Sequence, residues 1–198
     1  MGNRAAVLVG SFALFAAFGC AAEAASISEP EKVDLAFVRE EEKLARDVYD
    51  EVASIGGASF DNVSSSEQTH MDQVKSLLDT YGIADPVLGK GPGEFQNAEL
   101  RGLYGALVSK GKAGRARALE VGCEIEELDL HDLQGVRDRS TQDDVRTTLD
   151  ALMRGSRNHL RAFYGQLRAD GGTYVPKHVD QATFDGIVTS SQERGNGL

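Results

Sequence analysis

Apolar residues recur every three or four positions along most of the chain, and this spacing limits the fold more than any other feature of the sequence. Side chains with this period share one face of an α-helix, whereas a half-buried β-strand shows strict alternation. No run of alternating β-branched residues occurs. The sequence therefore predicts an all-α protein whose core forms where the apolar faces of its helices meet.

Helix start and stop signals divide the periodic region into four long helices and one short helix. The motif Ser28-Glu29-Pro30-Glu31 has the form of a capping box with proline in the first turn, and Gly56-Gly57 marks the end of that helix. Thr141, with Asp144 three residues later, is predicted to cap the fourth long helix. The remaining helices are predicted at about residues 61–81, 98–110, 112–137 and 141–169.

The lengths of the connections predict how these helices pack. The first and second long helices have a short connection, as do the third and fourth, so each pair should form an antiparallel hairpin. About thirty residues separate the hairpins, enough to cross the bundle and to carry the short helix. We therefore predict a ferritin-like four-helix bundle over residues 28–171. A C-terminal tail, residues 172–198, should hold one short helix after Asp180 and then a frayed polar end.

Residues 1–25 have the pattern of a secretory signal peptide. Arg4 supplies a basic start, an apolar run of about a dozen residues follows, and Ala22-Glu23-Ala24 offers a cleavage site with small residues. Cys20 leaves a lipid anchor open as an alternative, although Ala17 is a poor match to the aliphatic residue expected three positions before it. The prediction is export to the periplasm or the extracellular space, as a soluble or lipid-anchored protein.

Composition narrows the choice of partners. The formal net charge is −10 and no basic patch is present, which argues against nucleic acid and anionic membranes. No segment after the signal is apolar enough to span a bilayer. The mature chain keeps one cysteine, Cys123, so an internal disulfide is excluded, and a small buried hydrophobe is the expected role. The expected partners are metal ions, with oxygen or peroxide, and a homodimer is plausible.

The motif Glu67-Gln68-Thr69-His70 on the second helix is the first indication of a metal site. Di-metal bundles use a glutamate from each of two helices and a Glu-x-x-His pair from each of the other two. Residues three apart share one helix face, so both side chains can reach the same ion. The motif has another interpretation, since Ser64-Ser65-Ser66-Glu67 is itself a capping box, which would leave His70 at the surface.

Each of the other long helices offers an inward ligand. Glu42 falls on the apolar stripe of the first helix, whereas Glu40 and Glu41 are expected to form a solvated face. On the third helix Glu126 points inward and Asp129 borders the same face, with Glu127 as the alternative if the helix phase differs.

His159 lies on the inward face of the fourth helix. A second Glu-x-x-His pair would require glutamate at the position of Ser156, so this helix departs from the pattern. A lone histidine on an apolar face is often a core residue rather than a ligand. The joint arrangement of Glu42, Glu67, His70, Glu126 and His159 inside one bundle is what favours a metal site.

Three strings of residues are distinctive: Glu-Glu-Lys-Leu-Ala-Arg-Asp-Val-Tyr, Ser-Glu-Gln-Thr-His-Met-Asp and Arg-Gly-Ser-Arg-Asn-His-Leu-Arg. Together they resemble the bacterial and archaeal domain-of-unknown-function family 2202 of the ferritin-like superfamily, and the resemblance covers about residues 33–175. It implies that the five residues above match ligand positions and that Ser156 replaces the fourth-helix glutamate. It also implies that Asp129 can supply the missing carboxylate. Otherwise the site holds one ion or an unsymmetrical pair.

The resemblance implies iron, as a di-iron or mixed iron/manganese centre, with another transition metal as an alternative. An oxidase or peroxidase activity is one hypothesis, in which Tyr49, two turns from Glu42, passes an electron. A packed tyrosine bonded to a core carboxylate is the simpler interpretation of the same residue. The competing functions are a non-catalytic metal-binding protein of the cell envelope and a helical interaction module.

Overall fold

A computed structural model describes residues 26–194, which contain six α-helices and no β-strand. The predicted signal peptide, with Cys20, lies outside the described residues. In chain order the helices are α1 (Glu29–Gly56), α2 (Ala58–Thr80), α3 (Ala98–Gly111), α4 (Arg115–Arg139), α5 (Asp143–Ala169) and α6 (Gln181–Thr189). The all-α prediction is confirmed for this part of the chain.

Helices α1 and α2 form an antiparallel hairpin with Gly57 as the only residue between them. Gly57 has φ 98°, a left-handed conformation that glycine adopts without the penalty other residues have. Helix α2 begins at Ala58, about one turn earlier than the sequence indicated. The early start places Phe60 against the chain reversal, where its ring would collide with any side chain at position 56.

Helices α4 and α5 form the second antiparallel hairpin. Arg137 pairs with Asp150 near the connection, and Ser156 meets Asp129 farther along. The predicted cap at Thr141 is wrong, because Gln142 is the N-cap residue of α5 and makes no side-chain capping bond. The Thr141 backbone N–H instead donates to Glu31 at 2.7 Å, which ties the start of α1 to this connection.

The two hairpins pack face to face. Helix α1 lies antiparallel to α4, with Asp34 paired to Arg139 near one end and Tyr49 bonded to Glu126 toward the other. Helix α2 lies against α5, where the Tyr81 hydroxyl donates to Asp144 at 2.6 Å. The apolar faces of the four long helices meet in one continuous core. The result is a helical bundle with its interior enclosed by α1, α2, α4 and α5.

The segment between α2 and α4 covers the outer face of α1 and carries α3. Lys43 donates to the carbonyl of Gly91 at 2.8 Å, and Arg39 pairs with Asp85 at 3.1 Å. The prediction that Glu40 and Glu41 form a solvated face is wrong, since each is 4% exposed. Glu40 accepts backbone N–H groups from Gln96 and Asn97, so the crossing segment buries this residue.

The C-terminal segment returns along α5. A short helix follows Asp180, as the sequence predicted, and the Asp180 side chain caps it by accepting from the Thr183 backbone N–H. Beyond α6, Glu193 accepts from Arg157 at 2.6 Å and from Arg161 at 2.8 Å, so the chain up to residue 194 is bound to α5 rather than frayed. Among the described residues no helix is long and apolar enough to cross a membrane.

Candidate metal centre

Five predicted ligands from four helices meet inside the bundle. Helix α2 contributes Glu67 and His70, while Glu42, Glu126 and His159 come from α1, α4 and α5. The three carboxylate side chains are 1–3% exposed. Because α2 begins at Ala58, the capping alternative for Glu67 is wrong.

The five side chains form two groups that share Glu67. In the first group His70 Nδ1 lies 2.7 Å from Oε2 of Glu67 and 3.2 Å from Oε2 of Glu42. In the second group His159 Nδ1 lies 2.8 Å from Oε1 of Glu67 and 3.5 Å from Oε2 of Glu126. Glu67 therefore presents one oxygen to each group, with a histidine and a second carboxylate on either side of it.

Three of these ligand atoms are buried without a hydrogen-bond partner among residues 26–194. They are Oε1 of Glu42, Oε1 of Glu67 and Nδ1 of His159. Buried polar atoms are nearly always paired, because an unpaired one loses its hydration without compensation. The ligand atoms of each group lie within 4.8 Å of one another, a spacing at which they could share an ion.

Residues outside the five-residue cluster fix the positions of both histidine rings. The Ser66 hydroxyl lies 3.1 Å from Nε2 of His159, which leaves Nδ1 directed at the carboxylates. A side chain at position 155 would come within 2.5 Å of Nε2 of His70, so only Gly155 allows α5 to approach this ring so closely. The two rings stack at 5.6 Å between centroids. Support of this kind orients a histidine toward an ion.

The electrostatics of the cluster reflect burial and mutual charge. Burial would raise the pKa of Glu67, but the positive charges of His70 and His159 outweigh it and hold that pKa well below its usual value. Burial lowers the pKa of His159, and the carboxylates of Glu126 and Glu67 more than reverse this, raising it to about 10. Burial raises the pKa of Glu42 to about 7 despite His70. The buried carboxylates therefore require positive charge among them.

Tyr49 closes the cluster on one side. Its hydroxyl donates to Oε1 of Glu126, and burial together with the charge of that carboxylate raises the pKa of Tyr49 well above its usual value. The ring packs 5.7 Å from Phe60 and 5.2 Å from Phe163. The simpler sequence interpretation, a packed tyrosine bonded to a core carboxylate, describes this geometry, and an electron-transfer role stays a prediction.

Asp129 and Ser156 lie beside the two groups, not within them. The Ser156 hydroxyl donates to Asp129, so the residue that replaces the fourth-helix glutamate is bonded to its expected substitute. Burial and then the charges of Glu42, Glu126 and Glu67 raise the pKa of Asp129 well above its usual value. Asp129 is thus close enough for the charges of the cluster to raise its pKa, but its side chain is directed at α5.

The alternative phase for α4 is excluded. Glu127 faces the C-terminal segment, where it accepts from the Tyr174 hydroxyl at 2.5 Å and from the Lys177 backbone at 3.1 Å. Ser66 and Gly155 support the histidines, but nothing in their sequence context marked them, since their roles depend on how α2 and α5 approach one another. Cys123 is fully buried, as predicted.

The donor set fits a pair of transition-metal ions. Three carboxylates and two imidazoles supply oxygen and nitrogen ligands without sulfur, a combination typical of iron, manganese or zinc rather than cuprous copper. The unpartnered oxygens of Glu42 and Glu67 are the atoms that an ion would satisfy. A carboxylate shared between two groups is also what a two-ion site requires.

The fold and this cluster define an all-helical protein with a buried carboxylate–histidine site. Residues 31–191 match a family described as an uncharacterized protein domain, DUF2202, and the chain belongs to that family. The uncharacterized protein MJ0754 of Methanocaldococcus jannaschii is 44% identical over 170 residues, 85% of this chain and 92% of the relative. The crystal structure of hypothetical protein MJ0754 from Methanococcus jannaschii matches with TM-score 0.83 and 43% identity, covering 85% of this chain and 97% of that chain.

Proposed function

We propose that this protein is a ferritin-like metal protein that binds a pair of transition-metal ions, iron in the first instance, in the interior of its bundle. The helix directions support the ferritin-like assignment, because two antiparallel hairpins joined by one long crossover are typical of that class. The proposal includes export, which rests on the sequence of residues 1–25.

The observation that carries the proposal is the position of Glu67. Its Oε2 lies 2.7 Å from one histidine and its Oε1 lies 2.8 Å from another, and each histidine has a further carboxylate on its other side. If Glu67 served only in a structural ion pair, one histidine beside it would be enough. One carboxylate between two histidine–carboxylate groups supports a site for two ions, in which Glu67 would contribute to the binding of both.

The residues of each group have defined tasks in this proposal. Glu42 and His70 would hold one ion, Glu126 and His159 the other, and Glu67 both. Iron in such a site would supply redox chemistry toward oxygen or peroxide. An open cleft of about 340 Å³ between α2 and α5 includes His159 among its lining residues, with Asn62, Asn158 and Gln192 at its wall. This cleft supports access for a small polar molecule on the His159 side.

Metal stoichiometry tests the proposal. Purified protein is loaded anaerobically with ferrous iron, freed of unbound ion and analysed for iron per chain. We expect about two ions in the wild type and a loss of both in Glu67→Ala, because each group depends on this carboxylate. Glu127→Gln is the matched control, a buried glutamate of α4 whose carboxylate faces the C-terminal segment. Equal iron in wild type and Glu67→Ala would refute the proposal.

A non-catalytic metal-binding role is the second candidate, and the pairing of Ser156 with Asp129 favours it. Helix α5 supplies no carboxylate to the cluster, and Asp129 is engaged by the serine hydroxyl. Oxygen-activating sites of this class have a glutamate from that helix. The rate of ferrous oxidation in air separates the two roles. Oxidation faster than in buffer supports an oxidase, and stoichiometric binding without it supports a carrier or sequestering protein.

A further inference from the structure

A small cleft between α1 and the crossing segment has a cationic lining, in a chain whose formal net charge is −10. The lining includes four cationic side chains, three from α1 and one from the crossing segment: Arg39, Lys43, Arg46 and Lys90. The carboxylates that pair with them are Asp85 and Asp47. Four cations against two carboxylates leave an excess of positive charge at this cleft.

The guanidinium group of Arg39 is buried but only partly bonded. Arg39 is 7% exposed, and its Nε and Nη2 atoms donate to the two carboxylate oxygens of Asp85 at 3.2 and 3.1 Å. Nη1, on the opposite side of this planar group, is buried and has no hydrogen-bond partner among residues 26–194. A buried charged donor without a partner loses its hydration without compensation. Nη1 therefore needs an acceptor that the described residues do not supply.

The other cations of the cleft differ in how far they are already bonded. Lys43 donates to Asp47 and to a carbonyl of the crossing segment. The Arg46 side chain is 23% exposed, and Lys90 is exposed. Arg46 and Lys90 therefore place positive charge where it attracts an anion from solvent, while Arg39 offers a buried donor.

The size and chemistry of the cleft suit a small oxyanion. Sites for drug-sized ligands have volumes of about 300–1,000 Å³. This cleft has a volume of about 240 Å³, which is too small to enclose a nucleotide. Guanidinium groups bind phosphate through N–H groups whose planar arrangement matches its oxygens, and a lysine adds a point charge.

We propose that the cleft binds one inorganic phosphate, or another tetrahedral oxyanion of its size. Nη1 of Arg39 is the buried donor, and Arg46 and Lys90 are the charged partners nearer to solvent. None of the cationic residues is a ligand of the metal centre, so the anion site does not rest on the proposed function.

Titration calorimetry of the purified protein with inorganic phosphate tests the site, at pH 7 and at constant ionic strength set with chloride. The wild type should bind one phosphate per chain. Arg39→Lys keeps a positive charge beside Asp85 but removes Nη1, so the affinity should fall about ten-fold or more, the effect of losing a charge-assisted hydrogen bond. Lys90→Gln removes an exposed cation, so it should fold normally and weaken binding about two- to five-fold.

Arg157→Lys and Lys75→Gln are the matched controls. Arg157 also pairs its Nε and Nη2 atoms with one carboxylate, that of Glu193. Lys75 is a surface lysine of α2 that pairs with Asp79. Both variants should bind phosphate as the wild type does, and circular dichroism checks that each variant is folded.

Three results would overturn the site. They are a wild type that binds no phosphate beyond the effect of chloride, a Lys90→Gln variant that binds as tightly as the wild type, and a folded Arg39→Lys variant with unchanged affinity. In the first case Nη1 is left to water.

Two further measurements exclude other locations and other sources of the anion. Phosphate bound to ions of the metal centre would be lost in Glu67→Ala, whereas phosphate in the cleft should remain, so its loss in folded Glu67→Ala would overturn the proposal. Glycerol 3-phosphate should bind more weakly than phosphate, because the cleft is small. Equal or tighter binding of this ester would overturn the assignment to a free anion and indicate a phosphate ester such as a lipid headgroup.

Discussion

The Nδ1 atom of His159 lies 2.8 Å from Oε1 of Glu67, an ion-pair distance, but within residues 26–194 neither atom is aligned for a hydrogen bond. At the opposite side of the cluster the Tyr49 hydroxyl donates directly to Glu126. The contact between Tyr49 and Glu126 is a hydrogen bond, whereas the atoms of His159 and Glu67 lie close together without forming one. Under the proposed function, the atoms of His159 and Glu67 would bind an ion, whereas the bond from Tyr49 would hold Glu126 in place.

Gly155→Ala should displace a residue of the centre, although position 155 itself contributes no side chain to it. The new methyl group would lie 2.5 Å from Nε2 of His70, and the buried ring must shift away from Glu42 and Glu67 to accept it. We expect a loss of about 1–3 kcal/mol in the free energy of unfolding, the usual cost of overpacking a core. Bound iron should also fall. Urea denaturation and metal analysis measure the two effects.

Gly165→Ala, in the same helix, is the matched control for that variant. A Cβ there would meet no atom of the described part of the chain within 4 Å, so replacing this helical glycine should stabilise the protein by about 0.5–1 kcal/mol. Iron binding should match the wild type. If both glycine variants keep full iron and stability, close contact of α5 with His70 is not needed for the centre.

Tyr49→Phe should test what the hydroxyl contributes. The ring packing against Phe60 and Phe163 is retained, while Glu126 loses a buried donor, at a cost of about 1–3 kcal/mol. Iron stoichiometry should persist, because Tyr49 contributes no ligand atom to either group. Thermal unfolding and metal analysis are the measurements. Tyr164→Phe, at a ring packed 5.0 Å from Phe184, is the control and should alter neither. Loss of iron in Tyr49→Phe would show that the hydroxyl holds Glu126 in its binding position.

Glu31→Gln should reduce stability at neutral pH and have less effect in acid. Hydrogen bonds from the Thr141 backbone and the Ser28 hydroxyl lower the pKa of Glu31 from 4.5 to about 2. A carboxylate with a lowered pKa stabilises the fold above its ordinary pKa, and this contribution is lost as pH falls from about 4.5 to about 2. The expected loss at pH 7 is about 1–2 kcal/mol, shrinking toward pH 3.

Urea denaturation at the two pH values checks the prediction for Glu31. Glu29→Gln is the control, since the Glu29 side chain is 83% exposed and pairs with Lys32 at the surface. Its effect should stay below about 0.5 kcal/mol at both pH values. If Glu31→Gln lowers the free energy of unfolding by as much at pH 3 as at pH 7, the shape of the Glu31 side chain, and not its charge, explains its role.

Lys43→Met should loosen the crossing segment from α1. The ammonium group is buried between Asp47 and the carbonyl of Gly91, and its removal leaves Asp47 without that charge partner. Breaking a buried pair costs about 3–5 kcal/mol, reduced here because Arg46 also contacts Asp47. Hydrogen exchange should accelerate in residues 83–97. Lys75→Met, which removes a surface pair with Asp79, should leave exchange there unchanged.

Local sequence patterns predicted the helices well because helix formation depends on near neighbours. The capping box at Ser28, the Gly57 stop and the short helix after Asp180 all occur as expected. Thr141 failed as a cap because Glu31, distant in sequence, binds it instead. The first turn of α2 was missed because Phe60 is held by packing against the chain reversal rather than by a capping side chain.

For the candidate site, the sequence by itself determined which residues could meet. The apolar stripe of each helix has one phase, and Glu42, Glu67, Glu126 and His159 lie on those stripes. Only the tertiary structure decided that Glu67 presents one oxygen to each histidine and that Asp129 is engaged by Ser156. Periodicity specifies a direction around one helix axis. The distance and rotation between two helices depend on all the side chains packed between them.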